Sequence, residues 1–172
     1  IQLLKIQDKH SGKLIPFAPN NEQVALLKKL KKNKKVIILK PRQIGISTVL
    51  RAYALWRTYQ TKDPLKFGVI SFHERSAKHL RKMDSMMHNS LPNILRKNLS
   101  IDNSTTLEFG DTGAQLSSFT AGSKGGTRSF TLSSVHLSEF AFYDDAEEML
   151  AQVVATIGQG QIIIESTPNK PG

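Results

Sequence analysis

Four apolar residues, Val36-Ile-Ile-Leu39, run into the loop Lys40-Pro-Arg-Gln-Ile-Gly-Ile46. The hydroxyl pair Ser47-Thr48 then opens an amphipathic stretch. That order reads as strand, loop and helix. It restricts the chain to an α/β arrangement. It also sets the loop's backbone N–H groups at the positive end of a helix, where a phosphate is favoured. The N–H groups of Gln43, Ile44, Gly45, Ile46 and Ser47 are candidates to wrap such a phosphate, and Gly45 allows close backbone approach. Ser47 stands where a phosphate-binding loop places its Mg²⁺ ligand, with Thr48 beside it. The usual opening glycine is replaced by Lys40, and the usual lysine before the hydroxyl by Ile46. The cation must then come from Lys40 or Arg42. Taken alone, the segment also fits a tight strand-to-helix connection.

The remaining pattern alternates strands with helices. Asn20 to Lys32 is predicted helical, capped by Asn20 or Asn21, with Val24, Leu27 and Leu30 on one face. Its basic end, Lys28–Lys35, suits a helix C-terminus and reads as a solvated end or a DNA contact. Val36 to Leu39 has the continuous apolar character of a strand buried on both faces. Helices are expected over Ser47–Tyr59, Glu74–Asn89 and Asp144–Thr156. Strands are expected over Phe67–Phe72, Leu132–Leu137 and Gln161–Glu165. Leu107–Phe109 and Gln115–Phe119 flank Gly110-Asp-Thr-Gly113, a β-hairpin signature. Strands alternating with helices imply a largely parallel sheet with helices on both faces and ligands at the carboxyl ends of its strands.

Lys40–Ser47, Glu139 and Thr167 all fall at such ends. Glu139 closes an apolar strand, where a carboxylate can orient an attacking water. Ser138 occupies the place of the usual metal-side aspartate and can reach a metal only through water, as can Glu139. Arg128, after the glycines Gly125-Gly126, is a candidate to bring a guanidinium to a γ-phosphate, or else a surface or DNA-phosphate arginine. Ile162-Ile-Ile-Glu-Ser-Thr-Pro-Asn169 ends a strand in small polar groups.

Together, Lys40–Thr48, His136-Leu-Ser-Glu-Phe-Ala-Phe142 and Glu165-Ser-Thr-Pro-Asn169 resemble the ATPase motor domain of tailed-bacteriophage large terminase subunits, from about Phe17 to the C-terminus. The resemblance implies a P-loop NTPase fold of the ASCE type, with ATP and Mg²⁺ as ligands and ATP-driven movement of double-stranded DNA into a procapsid. It implies that Gln23 reads adenine, that Lys40 is the relocated loop lysine and Arg42 the loop arginine. It implies an arginine finger at Arg128, a catalytic carboxylate at Glu139, and a coupling motif at Ser166, Thr167 and Asn169. Mg²⁺ would rest on Ser47 and the phosphates. Portal, procapsid and small terminase subunit are the implied partners, with a homo-oligomeric ring and the host cytoplasm as the setting. A helicase-type ATPase shares most of these motifs. A DNA-binding module with a decayed nucleotide site would account for Ile46 and Ser138.

The bulk composition agrees with a polyanionic partner: 24 Lys+Arg against 14 Asp+Glu leave a net charge of +10 over 172 residues. The absence of cysteine excludes disulfides and thiolate metal sites. No apolar run approaches the ~20 residues of a membrane span, and a cytosolic protein is expected. The chain opens on Ile1 and stops at Gly172 just after a strand-like run. It is expected to be one domain, residues 1–172, of a longer protein, without the clustered acidic ligands of a nuclease.

Overall fold

A computed structural model describes residues 3–8, 11–122 and 131–168. Two short strands, β1 (Lys5–Gln7) and β2 (Leu14–Pro16), pair antiparallel apart from the main sheet. The chain then runs through α1 (Asn21–Lys32), β3 (Lys35–Leu39), α2 (Ile46–Gln60), β4 (Lys66–Ser71) and α3 (Glu74–Asn89). It continues with β5 (Leu99–Asp102), β6 (Thr106–Phe109), β7 (Gln115–Thr120), β8 (Ser134–Ser138), α4 (Ala146–Ile157) and β9 (Gln161–Ser166). The main sheet has seven strands in the order β3-β9-β8-β4-β7-β6-β5. Neighbours from β3 to β7 pair in parallel, and β6 and β5 add an antiparallel meander.

This is the expected largely parallel sheet with its hairpin, β6–β7. Apolar side chains gather on both of its faces. Ile163 packs with α1, α2 and Phe67, while its neighbour Ile162 packs with Val153 and Ile157 of α4. Successive strand residues point to opposite faces, so β9 serves both layers.

Three local expectations change. The strand Val36–Leu39 is not buried on both faces. Among the described residues β3 pairs only with β9, and Ile37 and Leu39 are 80% and 73% exposed. Val36 and Ile38 alone of its apolar residues pack against the core. In α1 the buried face is Gln23, Leu26 and Leu30, with Val24 exposed and Leu27 partly covered. A capping box sets this phase: Asn20 accepts from Gln23 N, and the Gln23 side chain accepts from Asn20 N. Finally, α4 starts at Ala146 because a 3₁₀ turn, Phe140–Phe142, takes up the chain after β8. In the basic run at the end of α1, Lys31 lies over the Trp56 ring at 4.6 Å, so that lysine is stacked on α2.

Beneath the sheet's carboxyl edge, α2 and α3 are tied by an ion pair with no solvent exposure at either partner. Arg51 donates from Nε and Nη2 to the two oxygens of Asp84 at 2.8 and 2.6 Å. Burial pushes the Asp84 carboxyl above its ordinary value although Arg51 opposes the shift. A pair of this kind is costly to break from one side, because the survivor is a buried lone charge. Arg51→Ala should lower unfolding stability by about 3–5 kcal/mol, measured by denaturant titration. Arg51→Met combined with Asp84→Leu should recover most of that loss.

Candidate active site

Four adjacent parallel strands, β3, β9, β8 and β4, deliver their last residues to one edge of the sheet. A cleft of about 420 Å³ opens there. Of the residues expected from sequence, Lys40, Arg42, Gln43, Ser138, Glu139 and Thr167 line it. Arg128 and Asn169 lie outside the described residues.

The loop after β3 is shaped by two left-handed residues, Gln43 (φ 68) and Gly45 (φ 72). Gly45 is also the N-cap of α2 and makes no side-chain cap bond. The first N–H groups of a helix have no partner within it, so this end of α2 can accept an anion. Ile46 turns its side chain into the core, leaving only its backbone to the loop. Gln23 supports the loop from outside. Its Nε2 donates to Ile44 O at 3.1 Å and more weakly to Gly45 O at 3.5 Å, while its Oε1 serves the α1 cap.

Lys40 is 7% exposed and stands between two carboxylates. Its Nζ donates to Glu139 Oε1 at 2.9 Å and lies 3.2 Å from Glu165 Oε2. Burial works against the charge on Lys40, but Glu139 and Glu165 outweigh it and raise the pKa above the ordinary lysine value. Glu139 adopts a left-handed backbone (φ 56), a strained setting for a side chain of this kind. Its second oxygen accepts from Thr167 Oγ1 at 3.0 Å and from Thr167 N at 3.3 Å. Ser166 Oγ accepts from Ala141 N at 3.1 Å, so the end of β9 grips the turn that carries Glu139.

Glu165 has no exposed surface, and its importance was not read from the sequence. Its Oε1 accepts from Ser47 Oγ and from Ser138 Oγ, each at 2.9 Å. His136 Nε2 lies 3.4 Å from the same oxygen. Burial opposes the Glu165 charge, but His136, Lys40 and Ser138 prevail and hold the carboxyl well below the usual range. Burial pushes His136 below its ordinary value despite Glu165. One signal was available: a lone acid in the apolar run Gln161–Glu165, one residue before the polar strand end. Sequence reading also missed Ser71, Phe72, His73 and Ser76, which line the cleft from the end of β4 and the start of α3. The rule that ligands gather at carboxyl ends of strands reaches them too.

Among the described residues no group of three or more His, Asp and Glu is placed to hold a metal. The donor set offered is a hydroxyl, Ser47, beside a loop suited to phosphate. Hard oxygen donors of this kind suit Mg²⁺ shared with phosphate oxygens.

The fold has relatives among solved structures. The large terminase of bacteriophage HK97 aligns with TM-score 0.73 and 14% identity, over 88% of this chain and 33% of that one. The ATPase domain of the Thermus phage P74-26 large terminase gives 0.68 and 15% identity, over 91% and 67%. The large terminase of a thermophilic bacteriophage, solved in complex with ADP, gives 0.62 and 11% identity, over 86% and 39%. The fold is that of a large terminase ATPase domain. The chain spans about a third of the length of the HK97 terminase. No family model matches the chain, and no curated protein matches its sequence.

Within this terminase fold the loop's shape rests on Gly45. A Cβ there would sit 2.8 Å from Gln23 Nε2. Gly45→Ala should cost about 1–2 kcal/mol from the left-handed backbone alone, and more from the displaced Gln23. Urea unfolding of the variant, alone and combined with Gln23→Ala, measures the two parts. Measured against Gln23→Ala alone, the added Gly45→Ala should cost only the backbone part.

Proposed function

We propose that this chain is the ATPase motor domain of a phage large terminase, hydrolysing ATP to drive double-stranded DNA into a procapsid. The observation that carries the reading is the double engagement of Glu139, by Lys40 at 2.9 Å and by Thr167 at 3.0 Å. A lysine from the phosphate loop and a threonine from the coupling segment thus share the carboxylate that serves as base. The thermophilic-phage terminase complexes with ADP and ATP-γ-S support a nucleotide as the ligand of this fold. The net charge of +10 favours a polyanionic track.

In this mechanism the loop backbone and Lys40 clamp the β- and γ-phosphates, with Arg42 at the cleft's rim. Ser47 would hold Mg²⁺ together with the phosphates, with Ser138 and Glu139 as outer groups that would act on it through water. When bound, the ion neutralises phosphate charge. Lys40 exchanges its bond to Glu139 for the incoming γ-phosphate. Glu139, released on that side, orients the attacking water. Arg128 completes the charge stabilisation, from its own subunit or from a neighbour in a homo-oligomeric ring. Thr167, bonded to the base, reports its movement to Ser166 and Asn169 and so to the DNA. Gln23 keeps the loop in shape; reading adenine would require its amide to leave Ile44. Portal, procapsid and small terminase subunit are the proposed partners, in the host cytoplasm. No helix among the described residues is long and apolar enough to cross a membrane.

Steady-state ATP hydrolysis across protein concentration, with and without double-stranded DNA, tests the reading. Glu139→Gln should keep nucleotide binding and lose about 10²–10⁴-fold in turnover; a wild-type kcat in that variant refutes the role. Lys40→Ala should weaken ATP binding in a titration, and equal affinities would remove Lys40 from the clamp. If Arg128 serves a neighbour, mixing Arg128→Ala with wild-type subunits should give rates that depart from the average of the two.

A further inference from the structure

Ser138 leaves the end of β8 without a metal-side carboxylate, yet the site contains one carboxylate more than a base requires. We infer that Glu165, at the end of β9, supplies the negative charge on the metal side and positions Ser47 as a ligand for the divalent cation. This rests on the ATPase reading above and names a residue for it.

The geometry separates the two carboxylates by task. Glu139 faces the cleft, with a side chain 37% exposed, and both its oxygens are taken, by Lys40 and Thr167. Glu165 is fully covered and reaches the loop from below. Its Oε1 accepts the Ser47 hydroxyl at 2.9 Å. A serine hydroxyl has one proton and two lone pairs. With the proton directed to Glu165, the lone pairs remain for a cation. The acceptor's negative charge makes the oxygen a stronger donor, as an outer carboxylate does for a metal-bound histidine. A neutral acceptor would fix the orientation without the charge.

Strand order explains why the acid is on β9. This strand lies between β3, which carries the loop, and β8, which carries Ser138. Glu165 pairs in register with Ser138 on one side and Ile38 on the other. From there it meets Ser47, Ser138 and Lys40 together. The charges of Lys40, Glu139 and Glu165 sum to minus one. Arg42, at the cleft's rim, offsets that charge from the phosphate side, so the negative charge that favours a divalent cation is local to Glu165 beside Ser47.

The test is Mn²⁺ affinity, read by electron paramagnetic resonance, with a non-hydrolysable ATP analogue bound to the whole chain. Glu165→Gln should weaken Mn²⁺ binding about 10–100-fold while metal-free analogue binds at least as tightly as to wild type. Adding Ser138→Asp to Glu165→Gln should restore most of the Mn²⁺ affinity by returning the charge from β8. A purely structural Glu165 would instead lower both affinities together, without rescue, and that result overturns the inference. So does unchanged Mn²⁺ affinity in Glu165→Gln. If Glu165→Gln does not fold, Glu165→Asp keeps the charge and withdraws the oxygen from Ser47. It should weaken Mn²⁺ binding by about 10-fold, the low end of that range, and no loss overturns the inference. Absence of saturable analogue binding to wild type would refute the ATPase reading itself, and this inference with it.

Discussion

Two carboxylates brought together where water is scarce repel each other unless a cation stands between them. Lys40 is that cation, with Glu139 on one side and Glu165 on the other. The three residues come from the ends of β3, β8 and β9, so the ammonium also holds three strand ends together. Around it the hydroxyls of Ser47 and Ser138 donate to Glu165 Oε1 and that of Thr167 to Glu139 Oε2, while Glu165 Oε2 faces Lys40 alone. Buried charge is tolerated here because most of its hydrogen-bonding capacity is met. The loop's departure from the common lysine position follows from the same arrangement. A lysine at the end of β3 is within reach of both acids, whereas position 46 points into the core, where an ammonium would lack a partner.

The layer below depends on a second, drier pairing. Arg51 and Asp84 join the helix that follows the loop to the helix that follows β4. His73 and Ser76, at the start of that second helix, line the far side of the cleft. The two walls are thus fastened to each other beneath the site, and neither helix can shift without disturbing a fully buried ion pair.

Features governed by local chemistry were legible in the residues. The α3 helix, the β6–β7 hairpin and the strand–loop–helix around Gly45 follow from periodicity and turn residues that act over a few positions. The burial of β3 was misread because an apolar run reveals propensity and not neighbours; only strand order makes it an edge. Glu165 was read as part of a motif and given no role. Its partners Ser47 and Ser138 lie 118 and 27 residues away in sequence. Nothing local announces that β9 inserts between β3, whose loop leads to Ser47, and β8, which ends at Ser138. The α1 phase was missed by one position because Gln23, a polar residue, takes a buried place on the helix to brace the loop. The strands β1, β2 and β5 escaped notice because their residues are mostly exposed and carry little apolar alternation.

The position of β9 has a mechanical meaning. It runs parallel to β3 and β8 on either side, and its end is further tied by Lys40 N donating to Ser166 O at 3.0 Å. A pull along this strand's axis would be borne by both neighbours. Parallel neighbours then resist in shear, with the ladder bonds loaded together and not one after another. Because Glu165, Ser166 and Thr167 are consecutive on one stiff segment, an axial slip would move all three by the same amount. Ser47's acceptor and the threonine partner of Glu139 would shift in step. Load on the strand and the condition of the site are therefore two readings of a single displacement.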